Sequence, residues 1–283
     1  MIYLIIATIC FSLSFGLIKA NLTGLPSEFV VLFRLLIASL IFLPFTKYFK
    51  KKKNVLAMAI GAIQFGGMYL CFIKAFQYLQ GNEIAILTTT TPIFVGLWSI
   101  LFGEKFRWMY LLCIALSVVG AVIIVWQNVE LDILVKGVVL METTNCLFAL
   151  GQVLWKKFVS DNSAKYMFSA YFGATLFVLP FALFNVNFSE LKIGLPQILS
   201  ILYLSIIPTG IGFWLWNKGA IQVEYITLAV MNNLKIPLGI LFSILIFKET
   251  INPLNFCIGL IFIVLSALLS LPKKIDKDNK LAQ

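Results

Sequence analysis

Apolar runs recur along this chain at nearly even spacing, each close to the roughly 20 residues an α-helix needs to cross a bilayer. Bounded by Pro, Gly, Asn and Lys, they fall at about 2–19, 28–46, 55–76, 83–102, 107–126, 134–156, 165–184, 197–218, 225–247 and 253–271. In lipid the backbone must satisfy its own hydrogen bonds, so runs of this length predict helices. The expected fold is all-α, a polytopic membrane protein with ten transmembrane helices. Composition agrees: of 283 residues, 61% are hydrophobic and 12% charged, about half the charge fraction of a soluble domain. Ten spans of about 20 residues leave roughly eighty for turns and tails, too few for a separate soluble domain.

The chain has no His, which excludes His-ligated metals, His-based triads and His proton relays. Cys10, Cys71, Cys113, Cys146 and Cys257 all fall inside apolar runs without a Cys-x-x-Cys spacing, as small buried hydrophobes do. No cofactor, metal or enzymatic activity is expected. The net charge of +10 sits largely in lysine tracts beside apolar runs, such as Lys50–Lys53 and Lys273–Lys280. That is the pattern of a cytoplasmic membrane face, not of a nucleic-acid binder.

With the N-terminus inside, the cytoplasmic loops and tail collect fifteen of the 22 Lys and Arg, and the outer loops four, Lys19, Lys136, Lys192 and Lys248. This bias predicts both termini in the cytoplasm. The first run lacks a basic leader and a small-residue cleavage pattern, and is read as an uncleaved span.

The chain also repeats itself. An offset of 145 pairs Gly67 with Gly212, Leu70 with Leu215, Ala75 with Ala220, Gln77 with Gln222, Pro92 with Pro237, Phe102 with Phe247 and Glu104 with Glu249. An offset of 136 pairs Leu43-Pro44-Phe45 with Leu179-Pro180-Phe181, and one of 137 pairs Phe11, Leu13 and Lys19 with Phe148, Leu150 and Lys156. Two five-helix units are expected, at 1–130 and 131–272, with a basic cytoplasmic tail at 273–283. Five is odd, so the second unit enters the membrane from the opposite side. Inverted repeats of this kind are the architecture of alternating-access carriers, with the substrate site near the midplane.

A charged side chain at a helix centre costs about 2.5–3.5 kcal/mol, so polar residues within the spans carry the functional information. Lys235 falls near the middle of the ninth span, with Asn232 on its face and Asn233 adjacent. Glu142, Asn145 and Gln152 form a second stripe. A Glu142–Lys235 ion pair is one expected role, and a proton-coupling carboxylate the alternative. Arg34 lies less than two turns from the outer end of its helix, where helix packing and ligand binding are both open. Arg34 and Lys235 outnumber Glu142, which favours a substrate bearing a carboxylate. Tyr69 and Trp214 correspond at the repeat offset, and with Trp216 they are expected as apolar walls. Pro92 and Pro237 are expected hinges, with the Thr88–Thr91 run bonding back to carbonyls freed by the proline.

Thr91-Pro92-Ile93-Phe94 with Gly103-Glu104-Lys105-Phe106, and Ile236-Pro237-Leu238 with Lys248-Glu249-Thr250-Ile251, resemble the helix-four to helix-five junction of EamA-type repeats in the drug/metabolite transporter superfamily. Arg34, within Phe33-Arg34-Leu35, stands where that family commonly carries an arginine. The stretches Gly61–Tyr69, which contains Gln64, Gly210–Ala220 and Met231–Pro237 resemble the biotin-uptake branch. The resemblance implies biotin import across a bacterial inner membrane, with an amino-acid or metabolite exporter of the same fold as the alternative. A non-transporting membrane enzyme or receptor is the reading from a different class. The expected substrate-binding set is Arg34, Gln64, Tyr69, Glu142, Asn145, Trp214, Trp216, Asn232, Asn233 and Lys235. The expected partners are a small carboxylate substrate and membrane lipid, and a homodimer is left open.

Overall fold

The computed structural model describes residues 1–12, 14–46, 51–79, 84, 87–105, 108–125, 135–159, 164–238 and 252–270. Among them ten helical segments follow in order. These are α1 (Ile2–Asn21), α2 (Ser27–Phe45), α3 (Lys52–Ala75), α4 (Thr91–Leu101) and α5 (Trp108–Val125), then α6 (Val135–Val159), α7 (Ala164–Asn185), α8 (Leu195–Ala220), α9 (Tyr225–Met231) and α10 (Pro253–Leu269). Six of them, α1, α2, α3, α6, α7 and α8, are long and apolar enough to cross a membrane. The protein is an all-α polytopic membrane protein. Its outer surface carries large apolar side chains such as Phe184, 88% exposed, which only a lipid environment tolerates in such number. The tail at 273–283, together with Lys50, Arg107, Lys248 and Glu249, lies outside the described residues.

Two of the expected continuous helices are interrupted, and proline explains where. The run at 83–102 turns at Thr89 and Thr90 before α4 begins at Thr91, and the run at 225–247 passes from α9 into a 3-10 turn at Asn232–Leu234. Pro92 has no N–H to offer the Thr88 carbonyl, and its ring crowds that carbonyl. The Thr91 hydroxyl donates to Thr88 O at 2.8 Å instead, so the freed group stays satisfied within the membrane.

In α3 and α8 the regular helix opens into a wider π form, at Ala62–Gly67 and Ser205–Gly212. Each stretch ends on a glycine, and each continues as eight α-helical residues, Met68–Ala75 and Phe213–Ala220. The ends of these paired stretches are 145 residues apart, the offset at which the sequence repeats. Such insertions are rare and concentrate at functional sites.

Small residues let the helices meet. The α7 helix lies against α2 and α3, α6 against α3 and α4, α8 against α1 and α2, and α10 against α5. A Cβ on Gly61 would stand 2.0 Å from Ala170 O, one on Gly173 2.4 Å from Met58 O, and one on Gly151 2.2 Å from the Gln64 Cβ. Backbones thus touch where α3 crosses α7 and α6, as close packing in membranes requires. Gly173→Val should force α3 and α7 apart and destabilise the fold by about 1–3 kcal/mol. Thermal unfolding in detergent should show this as a lowered midpoint, whereas Leu183→Val on the exposed face of α7 should leave it unchanged.

Candidate functional site

The one arginine described inside the bundle organises its centre. Arg34, on α2, is 1% exposed. One Nη donates to Tyr69 Oη and to Thr209 Oγ1, both at 2.9 Å, and Nε donates to Thr209 Oγ1 at 3.3 Å. Its Cζ stands 4.2 Å from the centroid of the Tyr69 ring, a cation–π contact that desolvation strengthens. Tyr69 Oη lies 3.0 Å from Thr209 Oγ1, and the Tyr171 hydroxyl donates to the Thr209 carbonyl. Three helices and the π stretch of α8 therefore hold one guanidinium through neutral oxygen atoms. The other Nη has no hydrogen-bond partner among the described residues. No carboxylate among the described residues pairs with Arg34; Glu28, in the first turn of α2, pairs with Lys74 at 3.9 Å instead.

Beside this arginine is a cavity of about 70 Å³. Its polar lining is Ser14, Arg34, Tyr69, Thr88, Thr144, Asn145 and Lys235, and its apolar lining includes Phe11, Phe148 and Phe213. The Lys235 ammonium stands 5.6 Å from the Phe148 ring centroid. Phe11 and Phe148, paired in the sequence repeat, both pack on Phe213, at centroid distances of 4.7 and 5.6 Å, and on Trp216, at 5.8 and 6.1 Å. Among the described residues the cavity thus presents two cations, aromatic walls and no carboxylate.

Four of the residues singled out from sequence, Arg34, Tyr69, Asn145 and Lys235, line this space. The others are held elsewhere. Gln64 donates to Asn217 Oδ1 at 3.1 Å. Gln152 Oε1 accepts from Trp216 Nε1 at 3.1 Å and from Asn232 Nδ2 at 3.2 Å. Asn233 Nδ2 donates to Ser117 Oγ at 2.9 Å. Trp214 packs on Phe42 at 6.4 Å and under the Lys218 ammonium, away from the cavity. These polar groups tie helix to helix, because an amide facing lipid must find a partner inside the bundle.

The expected Glu142–Lys235 ion pair is not formed. The Glu142 carboxylate accepts from Thr90 Oγ1 at 2.9 Å, and Asn145 Nδ2 donates to Thr90 Oγ1 at 2.9 Å and to Leu87 O at 2.8 Å. The stripe of Glu142, Asn145 and Gln152 is the seam along which α6 meets the segments before α4 and after α9. Thr209, which positions the arginine, was not singled out from sequence; its offset-145 partner is Gln64, the polar residue inside the π stretch of α3, and that correspondence was the available signal.

The sequence profile of the EamA-like transporter family matches residues 1–126 and 135–271. A probable biotin transporter of Pseudomonas aeruginosa is 35% identical over 255 residues, covering 87% of this chain and 89% of that protein. The biotin transporter of Escherichia coli is 32% identical over 273 residues, covering 94% and 91%. A solved crystal structure superposes with a TM-score of 0.74 at 17% identity, covering 95% of this chain and 96% of that one, and shows the same fold. A helical membrane bundle of this fold and family is a secondary transporter, not an enzyme. The chain belongs to the EamA-like transporter family of the drug/metabolite transporter superfamily.

Truncating Gln152 should separate clamp from cavity. Gln152→Leu leaves the Trp216 indole without its partner and the Asn232 amide with only the Leu228 carbonyl, and should cost about 0.6–2 kcal/mol of stability. Measured by thermal unfolding, a loss of this size with ligand affinity retained identifies a structural tie; lost affinity at unchanged stability would assign Gln152 to the ligand.

Proposed function

We propose that this protein imports a small carboxylate-bearing metabolite, biotin foremost, across a bacterial inner membrane by alternating access. The observation that carries the reading is the free Nη of Arg34, buried at the cavity with neutral partners only. A guanidinium taken out of water retains a strong demand for an anion, and a carboxylate meets it with short, charge-assisted bonds. Lys235 supplies a second cation at the same cavity, and Tyr69, Phe148 and Phe213 supply faces on which a partly apolar ring can rest. Biotin has both features, a carboxylate on an apolar tail and a polar fused ring. Relatives named as biotin transporters match most of the chain, which supports the choice among carboxylates.

The architecture in this reading is ten spans in two inverted units, 1–130 and 131–272, with both termini cytoplasmic and the basic tail beyond them. The paired π stretches of α3 and α8 support it. So does the pairing of contacts: α3 on α7 corresponds to α8 on α2, and α3 on α6 corresponds to α8 on α1. Pro92 and Pro237, each following a break in its helix, act as hinges. Ligand pockets commonly enclose about 300–1,000 Å³, so a cavity of about 70 Å³ must widen before biotin enters. Alternating access supplies that movement. Membrane lipid surrounds the bundle, and the site is complete within one chain whether or not a homodimer forms.

Binding of biotin to purified protein should raise its unfolding temperature by mass action, by about 2.7 kcal/mol of stabilisation at a hundredfold excess over Kd. Arg34→Gln should weaken binding about tenfold or more, because it removes a charge-assisted bond. Biotin amide, which lacks the charge, should bind comparably poorly to the unaltered protein. Equal affinity for acid and amide would overturn the carboxylate assignment. Failure of the protein to support a biotin auxotroph on trace biotin, with expression verified, would overturn biotin import.

A further inference from the structure

Lys156 and Lys19 occupy corresponding places in the sequence repeat, near the ends of α6 and α1, yet the structure uses them differently. The Lys156 ammonium donates to the carbonyl of Ala220, the last residue of α8, at 3.1 Å, and to that of Val223 in the turn leading to α9. It also stands 4.9 Å from the Tyr225 ring centroid. A lysine there satisfies C-terminal carbonyls that helix geometry leaves without partners, and it meets the negative end of the helix dipole. It therefore fastens α6 to the end of α8 at the face that carries Met1. Lys19 is exposed and makes no hydrogen bond or ion pair to a described residue through its ammonium. The groups that correspond at offset 145 to the Lys156 acceptors are the carbonyls of Ala75 and Tyr78, at the end of α3.

We infer that Lys156 and Lys19 are alternating latches: Lys156 ties α6 to the end of α8 at the Met1 face in the conformation described here, and Lys19 takes the equivalent hold on Ala75 and Tyr78 when the two halves exchange their arrangements. This rests on the inverted-repeat reading above. In such a molecule the two conformations exchange the arrangements of the two halves, so a contact made by one half predicts its counterpart in the other. A bond that is broken and remade at opposite ends costs little overall, because each latch forms as the other releases. The carboxylates of Glu104 and Glu224 line a cavity of about 570 Å³ beside Lys156, and give the released ammonium somewhere to go.

The test uses the full chain in lipid nanodiscs, with its native cysteines replaced and spin-label pairs at two faces. One pair replaces Phe158 and Gln222 at the Met1 face, and the other replaces Thr23 and Gln77 at the opposite face; all four positions are exposed. Lys156→Met should reduce the short-distance population of the first pair about tenfold, the effect of losing one charged hydrogen bond, and should enlarge that of the second. Lys19→Met should shift both in the opposite sense, and Lys156→Arg, which retains the donors, should preserve the unaltered distribution. If Lys156→Met does not yield monodisperse protein, Lys156→Gln gives the same comparison. Unchanged Phe158–Gln222 distances in the variant would overturn the latch. Distances that lengthen at the Met1 face with no change at the other would leave the latch standing and overturn alternating access.

Discussion

A guanidinium enclosed by membrane helices, with only neutral oxygens beside it, is the constraint around which the middle of this protein is arranged. Arg34 cannot shed its proton as a lysine can, so the surroundings must accommodate the charge. Tyr69 supplies both a hydroxyl and the face of its ring, and Thr209 supplies a hydroxyl to two of the guanidinium nitrogens. Thr209 stands in place because α8 widens into a π form over Ser205–Gly212, and its carbonyl is taken up by Tyr171 of α7. The arginine thereby couples α2, α3, α7 and α8. The remaining nitrogen is the one group of this cluster without a hydrogen-bond partner among the described residues.

The remaining buried polar groups have a different logic. Gln64 with Asn217, Gln152 with Trp216 and Asn232, and Asn233 with Ser117 each join separate helical segments. In lipid there is little hydrophobic preference for one helix partner over another, so such ties set register and neighbour. The tie of Gln152 to Trp216 lies behind one cavity wall, because Trp216 packs on Phe148 of the lining.

Most of the fold was legible in the sequence, because span length and apolar content are direct consequences of bilayer thickness. The unreadable parts were those governed by partners. Asn232 and Asn233 stood out as polar groups in an apolar span, Gln64 came with the family resemblance and Trp216 was expected as an apolar wall, but whether such a group faces a cavity or another side chain depends on helix rotation, and periodicity within one span does not fix that. Glu142 and Lys235 illustrate the point: opposite charges were each placed within the membrane, yet Thr90 and the seam of α6 claim the carboxylate. The breaks at Thr89–Thr90 and Asn232–Leu234 were signalled by Pro92 and Pro237, but a proline does not specify whether its helix bends or is interrupted. The π stretches left no mark in hydropathy, although glycine stood at both of their ends.

In the proposed reading, a duplicated scaffold that binds an asymmetric molecule has to reconcile two requirements. Exchange between two conformations is simplest when the halves share backbone geometry, and the matching π stretches of α3 and α8 meet that need. A ligand with one charged end needs the lining to differ between halves. The divergence falls on side chains: Tyr69 corresponds to Trp214, and Gln64 to Thr209, so the first half's tyrosine and the second half's threonine meet on a single arginine. Had both halves kept the same pair, Arg34 would meet either a glutamine in place of Thr209 or a tryptophan in place of Tyr69, and would lose one of its two hydroxyl acceptors. Symmetry in the backbone and its loss in the lining are therefore complementary conditions for carrying a molecule with a single acidic end.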